Sequence, residues 1–249
     1  TRHQSHLQDS AYGIFKPLLL FGIAVMLLLL EPDMGSSVVI LMIAMGMMFL
    51  GGAKLKQFAI ILTVLGALGA LLVLVAPYRV ARVVSFVDPF KDSLKSGYQL
   101  SQALIAFGQG ELLGLGIGNG IQKLFYLPEA HTDFLFSVIA EETGLVGVLI
   151  VIALFTALIW RAFIIAEAAE KADKRFDAFI AYGLAIWLAF QVFVNIGVNM
   201  GILPTKGLTL PLMSYGGSSM MVMCCGIALL FRVHSETMNS HFQKPYPGR

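Results

Sequence analysis

The stretch Tyr126-Leu-Pro-Glu-Ala-His-Thr-Asp-Phe134 stands directly before an almost uninterrupted apolar run that continues to Trp160. That run is longer than the roughly 20 apolar residues that an α-helix needs to cross a bilayer. The stretch in front of it carries three side chains that can exchange protons, Glu129, His131 and Asp133. The sequence therefore predicts a membrane helix with a chemically capable polar segment at one end.

The composition of the whole chain agrees with this interpretation. Of its 249 residues, 57% are hydrophobic and only 13% are charged, and the mean hydropathy is +0.81. So few charges cannot cover the surface of a soluble domain, so the composition predicts an all-α, multi-pass membrane protein. The small net charge of +2, with scattered basic residues, argues against a nucleic-acid partner. The missing initial methionine suggests a part of a longer protein.

Six membrane-spanning helices are predicted, in one membrane domain of residues 1–249. The first long apolar stretch is interrupted by Glu31-Pro32-Asp33, which indicates a tight turn between two helices. The predicted spans are residues 14–30, 34–51, 57–76, 134–160, 179–200 and 212–231, with one large loop at 77–133. Lys206 is the only cation in the short loops on the side of that large loop. The positive-inside rule therefore predicts cytoplasmic termini and an extracytoplasmic large loop.

The large loop contains two recognisable segments. Residues 97–107 place Leu100, Ala103, Leu104 and Phe107 at helical spacing, which predicts an amphipathic helix in the membrane interface. The glycine-rich residues 108–120 contain no dinucleotide fingerprint and follow no strand. They therefore favour a flexible or tightly turned loop over a nucleotide site.

Two roles are open for Asp133 on local sequence alone. Thr132 or Asp133 could cap the helix that begins at Phe134. Alternatively, an ionised Asp133 near the lipid headgroups could accept a proton from an alcohol. A helix N-terminus favours the carboxylate, whereas apolar surroundings disfavour it, so the two roles pull its pKa in opposite directions.

Polar side chains also occur within two predicted spans. Glu141 and Glu142 need partners or water at that depth, and we expect pairing with a neighbouring helix or with basic residues, a wet cavity being the alternative. Gln191, Asn195 and Asn199 recur every four residues and form a polar stripe. Interhelical hydrogen bonding is the favoured interpretation of this stripe, ahead of substrate contact.

Residues 201–219 contain two prolines and four glycines, which excludes a regular helix through the segment. Irregular backbone at membrane depth is tolerated where it is buried in protein or lines a cavity. Lys206, the sole cation there, could be a snorkelling anchor or could hold a lipid pyrophosphate. Arg79 and Arg82 follow the third span and are further candidates, with headgroup contact as the alternative.

Five motifs, taken together, resemble the SEDS family of bacterial envelope synthesis in their order and spacing. They are Glu31-Pro-Asp-Met-Gly35, Ser96-Gly-Tyr-Gln99, Tyr126-Leu-Pro-Glu-Ala-His-Thr-Asp-Phe134, Ala140-Glu-Glu-Thr-Gly-Leu-Val-Gly147 and Pro211-Leu-Met-Ser-Tyr-Gly-Gly-Ser-Ser219. The segment Pro204-Thr-Lys-Gly-Leu-Thr-Leu-Pro211 is similar to the division type of the family and its sporulation relative, rather than to the elongation type. The resemblance covers nearly the whole chain, which looks like the last six helices of the family's ten-helix, GT-C-like fold.

The resemblance implies a peptidoglycan glycosyltransferase that polymerises lipid II on the outer face of the bacterial inner membrane, at the division septum. It places the catalytic aspartate at Asp133 and links Lys206 to function. The expected substrate-binding residues are Lys206, Arg79, Glu129, His131, Ser214 and Tyr215.

The same resemblance implies a set of partners. These are lipid II and the nascent glycan strand, a class B penicillin-binding protein, other divisome membrane proteins and membrane lipids. No cofactor is certain, and a divalent cation (Mg²⁺ or Mn²⁺) that bridges the pyrophosphate is an open expectation. A lipid II flippase and a non-catalytic divisome scaffold are the alternative functions.

Overall fold

The structure, a computed structural model, describes residues 11–31, 33–52, 55–75, 77–91 and 97–242. Within these ranges the chain is helical and contains no β-strand, which confirms the predicted all-α class. The helices are α1 (Ala11–Leu30), α2 (Met34–Leu50), α3 (Leu55–Val75), α4 (Pro77–Val87), α5 (Tyr98–Gly110), α6 (Leu135–Lys171), α7 (Arg175–Asn199) and α8 (Gly217–Phe242). A short π-helix at Gln122–Tyr126 lies between α5 and α6.

Four helices of the described ranges are long and apolar enough to cross a membrane. They lie at Phe58–Val75, Leu135–Lys171, Arg175–Asn199 and Gly217–Asn239. Two shorter apolar helices, Leu19–Leu30 and Met34–Leu50, fall in α1 and α2. The protein is therefore a multi-pass membrane protein.

The helix bounds differ from the predicted spans mainly at the helix ends. Helix α6 continues to Lys171 rather than ending at 160, and α8 runs from Gly217 to Phe242 rather than from 212 to 231. Hydropathy marks only apolar residues, so the helical residues after 160 and after 231 were not counted, whereas residues 212–216 were counted although they precede α8. The turn predicted at Glu31–Asp33 lies between α1 and α2, where the Asp33 carboxylate accepts a hydrogen bond from Ser36 N at 3.0 Å and caps α2.

The antiparallel pair α6 and α7 is the centre of the molecule. Its end near the α6–α7 turn is packed through small residues, which let two helix backbones approach closely. The buried alanines there are Ala162, Ala166, Ala169, Ala178, Ala181 and Ala185. At the opposite end, Val39 of α2, Ala103 of α5, Val138 of α6 and Val198 of α7 join one apolar core. This core holds the start of α6, where the candidate residues lie.

The loop between α4 and α6 is compact. In α5, Leu100, Ala103 and Ala106 are buried, so much of the apolar face that was predicted to lie in the membrane interface packs against protein instead. Gly114, Gly116 and Gly118 adopt φ of +77°, +99° and +91°. Only glycine enters that region freely, so the glycine-rich segment is tightly turned.

Candidate functional site

The start of α6 is anchored by two asparagines of α7. The Nδ2 groups of Asn195 and Asn199 each donate a hydrogen bond to the main-chain oxygen of Asp133 at 2.9 Å. Asn199 Oδ1 also accepts hydrogen bonds from the backbone N of Ser137 at 3.1 Å and from its hydroxyl at 2.8 Å. Asn199 thus offers a side-chain acceptor to a backbone N–H in the first turn of α6, as an N-cap side chain does, although the same N–H also donates to the main-chain oxygen of Phe134 at 3.1 Å.

The predicted cap by Thr132 or Asp133 is wrong. Helix α6 begins at Leu135, and its cap residue Phe134 makes no side-chain capping bond. The Thr132 hydroxyl instead donates to Glu129 Oε2 at 2.6 Å. The side-chain acceptor in the first turn of α6 comes from Asn199 of the neighbouring helix α7. The Asp133 carboxylate therefore does not serve as the cap of α6.

The surroundings of the Asp133 carboxyl disfavour its charge. Burial raises its pKa from 3.8 to about 6, and the nearby Glu129 carboxylate adds to the rise by repulsion. Gly207 lies beside it, since a Cβ placed on Gly207 would come within 3.1 Å of Asp133 Oδ2. The segment that carries Lys206 is therefore packed next to this carboxyl group.

The polar stripe of α7 holds the irregular segment between α7 and α8. Asn195 Nδ2 donates to the main-chain oxygen of Leu208, and Gln191 Nε2 donates to that of Thr209 at 3.1 Å. Together with the bonds of Asn199, these contacts confirm the prediction that the stripe serves hydrogen bonding within the protein.

A second set of bonds joins the irregular segment to the stretch before α6. The Ser214 hydroxyl donates to the main-chain oxygen of Thr132 at 2.5 Å and accepts from Leu210 N at 2.8 Å. Tyr215 N donates to the main-chain oxygen of His131 at 2.9 Å. Ser214 is buried and its hydroxyl is engaged by backbone, so in this structure it positions the segment.

The predicted residues fall into two groups. His131, Ser214 and Tyr215 line an open, largely apolar groove of about 720 Å³, in which Tyr215 is 78% exposed. Asp133 and Glu129 are not among the residues that line this groove. His131 of the groove and Asp133 are separated by only one residue along the chain, so the groove and the Asp133 carboxyl group are neighbours.

Lys206 and Arg79 are the two remaining candidate residues. Lys206 is partly buried next to Gly207. Arg79 falls in α4, and its side chain lies outside the described residues. Among the residues that the structure describes, no group of three or more His, Cys, Asp or Glu side chains is arranged to hold a metal ion.

Glu141 and Glu142 both have partners in the protein, but only Glu142 pairs with a basic residue as predicted. Glu141 is fully buried, and its carboxylate accepts hydrogen bonds from the backbone N of Ile121 at 2.8 Å and of Gln122 at 3.2 Å. Glu142 forms an ion pair with Lys123. The partners belong to the loop between α5 and α6, so these carboxylates fix the loop to α6.

A break in α6 at Gly144 was not predicted. Gly144 has φ +64° and ψ −163°, and the backbone bonds missing there are supplied by the glycine-rich loop. Leu145 N donates to the main-chain oxygen of Glu111 at 3.0 Å, and Leu115 N donates to that of Glu141 at 3.0 Å. A Cβ on Gly114 would clash with the Glu142 backbone, so glycine is required on the loop side of this contact. The only sequence signal for this break was Gly144 within the Ala140–Gly147 motif. This glycine indicates a break only when its contact with the glycine-rich loop is known.

Comparison with known proteins places these features in a family. The family model of the cell cycle proteins FtsW, RodA and SpoVE matches residues 1–239. The probable peptidoglycan glycosyltransferase FtsW of Methylomonas methanica is 62% identical over 241 residues, which cover 97% of this chain and 62% of that protein. The corresponding FtsW of Methylococcus capsulatus is 55% identical, covering 96% and 60%. The chain thus spans about 60% of the length of these relatives.

Two solved structures share the fold. One, of a peptidoglycan synthase complex that coordinates polymerization and crosslinking, matches with a TM-score of 0.74 and 32% identity, covering 94% of this chain and 66% of the matched chain. The rod shape determining protein RodA of Thermus thermophilus matches with a TM-score of 0.61 and 31% identity, covering 94% and 61%. The resemblance inferred from the motifs is confirmed, and the chain belongs to the FtsW/RodA/SpoVE family of cell cycle proteins.

Proposed function

We propose that the protein is a peptidoglycan glycosyltransferase that joins lipid II disaccharide units into glycan strands during cell division. The observation that carries this proposal is the state of Asp133. Its backbone is clamped by Asn195 and Asn199, its side chain is not needed for capping, and its pKa is raised to about 6. The names of the FtsW relatives, probable peptidoglycan glycosyltransferases, support the same activity.

Asp133 acts as the general base of the proposed reaction. The 4-hydroxyl of an incoming N-acetylglucosamine attacks the anomeric carbon of N-acetylmuramic acid on the growing chain. The C–O bond to the pyrophosphate breaks, undecaprenyl pyrophosphate leaves, and the hydroxyl proton passes to Asp133. Pyrophosphate is a good leaving group, so one base suffices, unlike the paired carboxylates of glycoside hydrolysis. A carboxylate with a pKa near 6 is ionised at pH 7 and is a stronger base than an ordinary aspartate.

The other candidates have binding roles in this proposal. Lys206 and Arg79 hold the pyrophosphate as cationic partners. Glu129 and His131 orient Asp133 or the sugar, and His131 as the base is the alternative assignment. Tyr215, exposed on the groove, offers an aromatic face to the sugar. A Mg²⁺ or Mn²⁺ ion bound to the pyrophosphate would supply further charge neutralisation, and chelation by EDTA tests whether it is needed.

The proposed setting is the extracytoplasmic face of the bacterial inner membrane at the division septum. The distribution of Lys and Arg supports this orientation. The proposed partners are lipid II, the nascent glycan strand, a class B penicillin-binding protein and other divisome membrane proteins. The likeness to a chain of a peptidoglycan synthase complex supports the partnership.

A lipid II flippase is the second candidate. Irregular segments between membrane helices are common in transporters, and this chain has one at residues 200–216. A flippase needs no general base, so it would not explain the raised pKa of Asp133. This favours the polymerase.

The decisive experiment uses the full-length protein with its penicillin-binding partner and labelled lipid II in detergent. Asp133→Asn keeps the shape of the side chain, and Asp173→Asn, in the turn after α6, is the matched control. We expect glycan polymer from the wild type and from Asp173→Asn, and polymerisation slower by at least about 10²-fold from Asp133→Asn. Equal polymer from Asp133→Asn would refute the assignment of the base. No polymer from any form, combined with lipid II transfer across vesicles, would support the flippase, and neither activity would support a scaffold.

A further inference from the structure

The positions of charged residues and of exposed apolar side chains indicate which part of α6 lies in the hydrocarbon core. No charged residue occurs between Glu142 and Arg161, a helical length of about 27 Å, close to the roughly 30 Å of a hydrocarbon core. The exposure of α6 changes within this helix. Its residues from Phe136 to Gly144 are mostly buried, and from Leu145 onward one side of the helix is apolar and exposed. The hydrocarbon boundary on the Asp133 side therefore lies near Gly144.

The loop between α5 and α6 is fastened at this same level. Leu145 N donates to the main-chain oxygen of Glu111 at 3.0 Å, and Val146 N donates to that of Leu112 at 3.2 Å. Residues 111–124 therefore lie beside the boundary. They are held there by backbone bonds as well as by the Glu142–Lys123 ion pair.

Residues 111–124 expose several large apolar side chains. Leu113 is 79% exposed and Ile117 is 87% exposed. The other exposed apolar residues of the segment are Leu112, Leu115, Ile121 and Leu124. An apolar patch of this kind on a folded protein marks an interaction surface, and it is continuous with the exposed apolar side of α6.

Many backbone N–H groups of the segment are hydrogen-bonded within the protein. Irregular backbone is tolerated at membrane depth only where its polar groups are satisfied. The backbone N–H groups of Gly114, Leu115, Gly116, Gly118, Asn119, Ile121 and Gln122 all donate to protein acceptors. Glu111 is exposed at the α5 end and marks the polar edge of the patch.

We propose that residues 111–124 form a wedge that inserts Leu113 and Ile117 among the acyl chains of the leaflet on the Asp133 side. The partner of this surface is the lipid bilayer itself. The wedge is independent of the proposed enzymatic activity, since it follows from the level of α6, the backbone bonds and the exposed side chains.

The test measures the surroundings of single spin labels in the full-length protein, reconstituted into phospholipid vesicles. Cys224 and Cys225, both exposed on α8 rather than packed, are first changed to serine. Labels are then placed by Ile117→Cys and, separately, Leu113→Cys. Leu154→Cys, exposed within the apolar run of α6, is the lipid reference, and Asp173→Cys in the α6–α7 turn is the water reference. The readout is the ratio of collision with oxygen, which concentrates in lipid, to collision with a water-soluble nickel chelate.

We expect the ratio at both wedge positions to be several-fold above that of Asp173→Cys and close to that of Leu154→Cys. A ratio like that of Asp173→Cys at either position would show the loop in water and would overturn the proposal. Low collision with both reagents would show a protein cover, from a partner or from another part of the full-length chain, and would also overturn it.

Discussion

Two carboxylates near the start of α6, Asp133 and Glu141, have opposite surroundings. Glu141 is fully buried, yet its oxygens accept hydrogen bonds from the backbone of Ile121 and Gln122. Asp133 is only half-buried, but it faces the Glu129 carboxylate, and its pKa is raised to about 6. The more deeply buried carboxyl group is therefore the one that receives backbone hydrogen bonds.

This difference separates a structural carboxylate from a reactive one more clearly than burial does. A buried carboxyl group that receives backbone hydrogen bonds is tolerated within the fold, because those bonds replace its lost hydration. A carboxylate whose surroundings oppose its ionisation is held in a less stable form, and such groups are concentrated at functional sites. Replacing each carboxylate by its amide tests this distinction, because shape is kept and only charge and proton chemistry change.

The largest expected effect is that of Asp133→Asn on rate. We expect polymerisation to fall by about 10² to 10⁴-fold, the usual contribution of a general base. Stability at pH 7 should be unchanged or slightly higher. The reason is that a carboxyl whose folded pKa lies above its unfolded value penalises the folded state once the pH exceeds both, and the penalty disappears below about 3.8. Thermal unfolding of the purified variant checks this sign, and a clear fall in melting temperature would contradict it.

Glu141→Gln should show the converse behaviour. An amide offers one acceptor oxygen and adds a donor opposite the backbone N–H groups of Ile121 and Gln122. We expect a loss of stability of about 1–3 kcal/mol, the usual effect of an unsatisfied buried group. The rate per folded molecule should remain near that of the wild type. A rate loss comparable to that of Asp133→Asn, without loss of stability, would show that the two carboxylates do not differ in kind.

A smaller effect is expected for Asn199→Asp. Aspartate keeps an acceptor for Ser137 but loses the Nδ2 donor to the main-chain oxygens of Asp133 and Asn195. We expect a loss of stability of about 1–3 kcal/mol, the usual cost of leaving buried acceptors without their donor, and a several-fold decrease in kcat with KM little changed. An unaltered kcat would show that the clamp supports the helix and does not position the base. Gln191→Glu, on the same stripe but bonded to Thr209, is the matched control.

The smallest effect concerns the pH profile. Polymerisation should decline on acidification with a midpoint near pH 6, because protonated Asp133 cannot accept a proton. Glu129→Gln removes the repulsion that contributes to the raised pKa, so this midpoint should move to lower pH by a fraction of a unit. The move is small because burial is the larger cause. Asp173→Asn is the control, and a midpoint that does not move in Glu129→Gln would exclude this contribution.

Much of the fold could be predicted from the sequence, because periodicity and hydropathy are local properties. The turn between α1 and α2, the helical residues of α5 and the hydrogen-bonding stripe of α7 were all predictable in this way. The cap of α6 was not, because Asn199 lies 62 residues after Ser137 along the chain. Local sequence indicates which residues can cap a helix, but it does not show that a neighbouring helix already supplies the acceptor.

The break at Gly144 illustrates the same limit. A glycine within an apolar run is compatible with an intact helix, and a glycine-rich loop is compatible with many turns. Their contact became apparent only in three dimensions, where Glu111 and Leu112 bond to the residues after Gly144. The exposure of Cys224 and Cys225 on α8 could not be predicted for a related reason, since hydropathy does not distinguish an exposed apolar side chain from a packed one.

The length of α6 has a consequence for a lipid-linked substrate. The helix has 37 residues, many more than the roughly 20 that cross a bilayer, and its first turns precede the break at Gly144. The helical part from Leu135 to Gly144 extends about 14 Å along its axis, which places Asp133 outside the hydrocarbon. Withdrawing a prenyl chain from the bilayer costs about 0.8 kcal/mol for each methylene group. In the proposed reaction, a site at this height would meet the sugar while the prenyl chain stays in its leaflet, so the lipid would not have to be extracted.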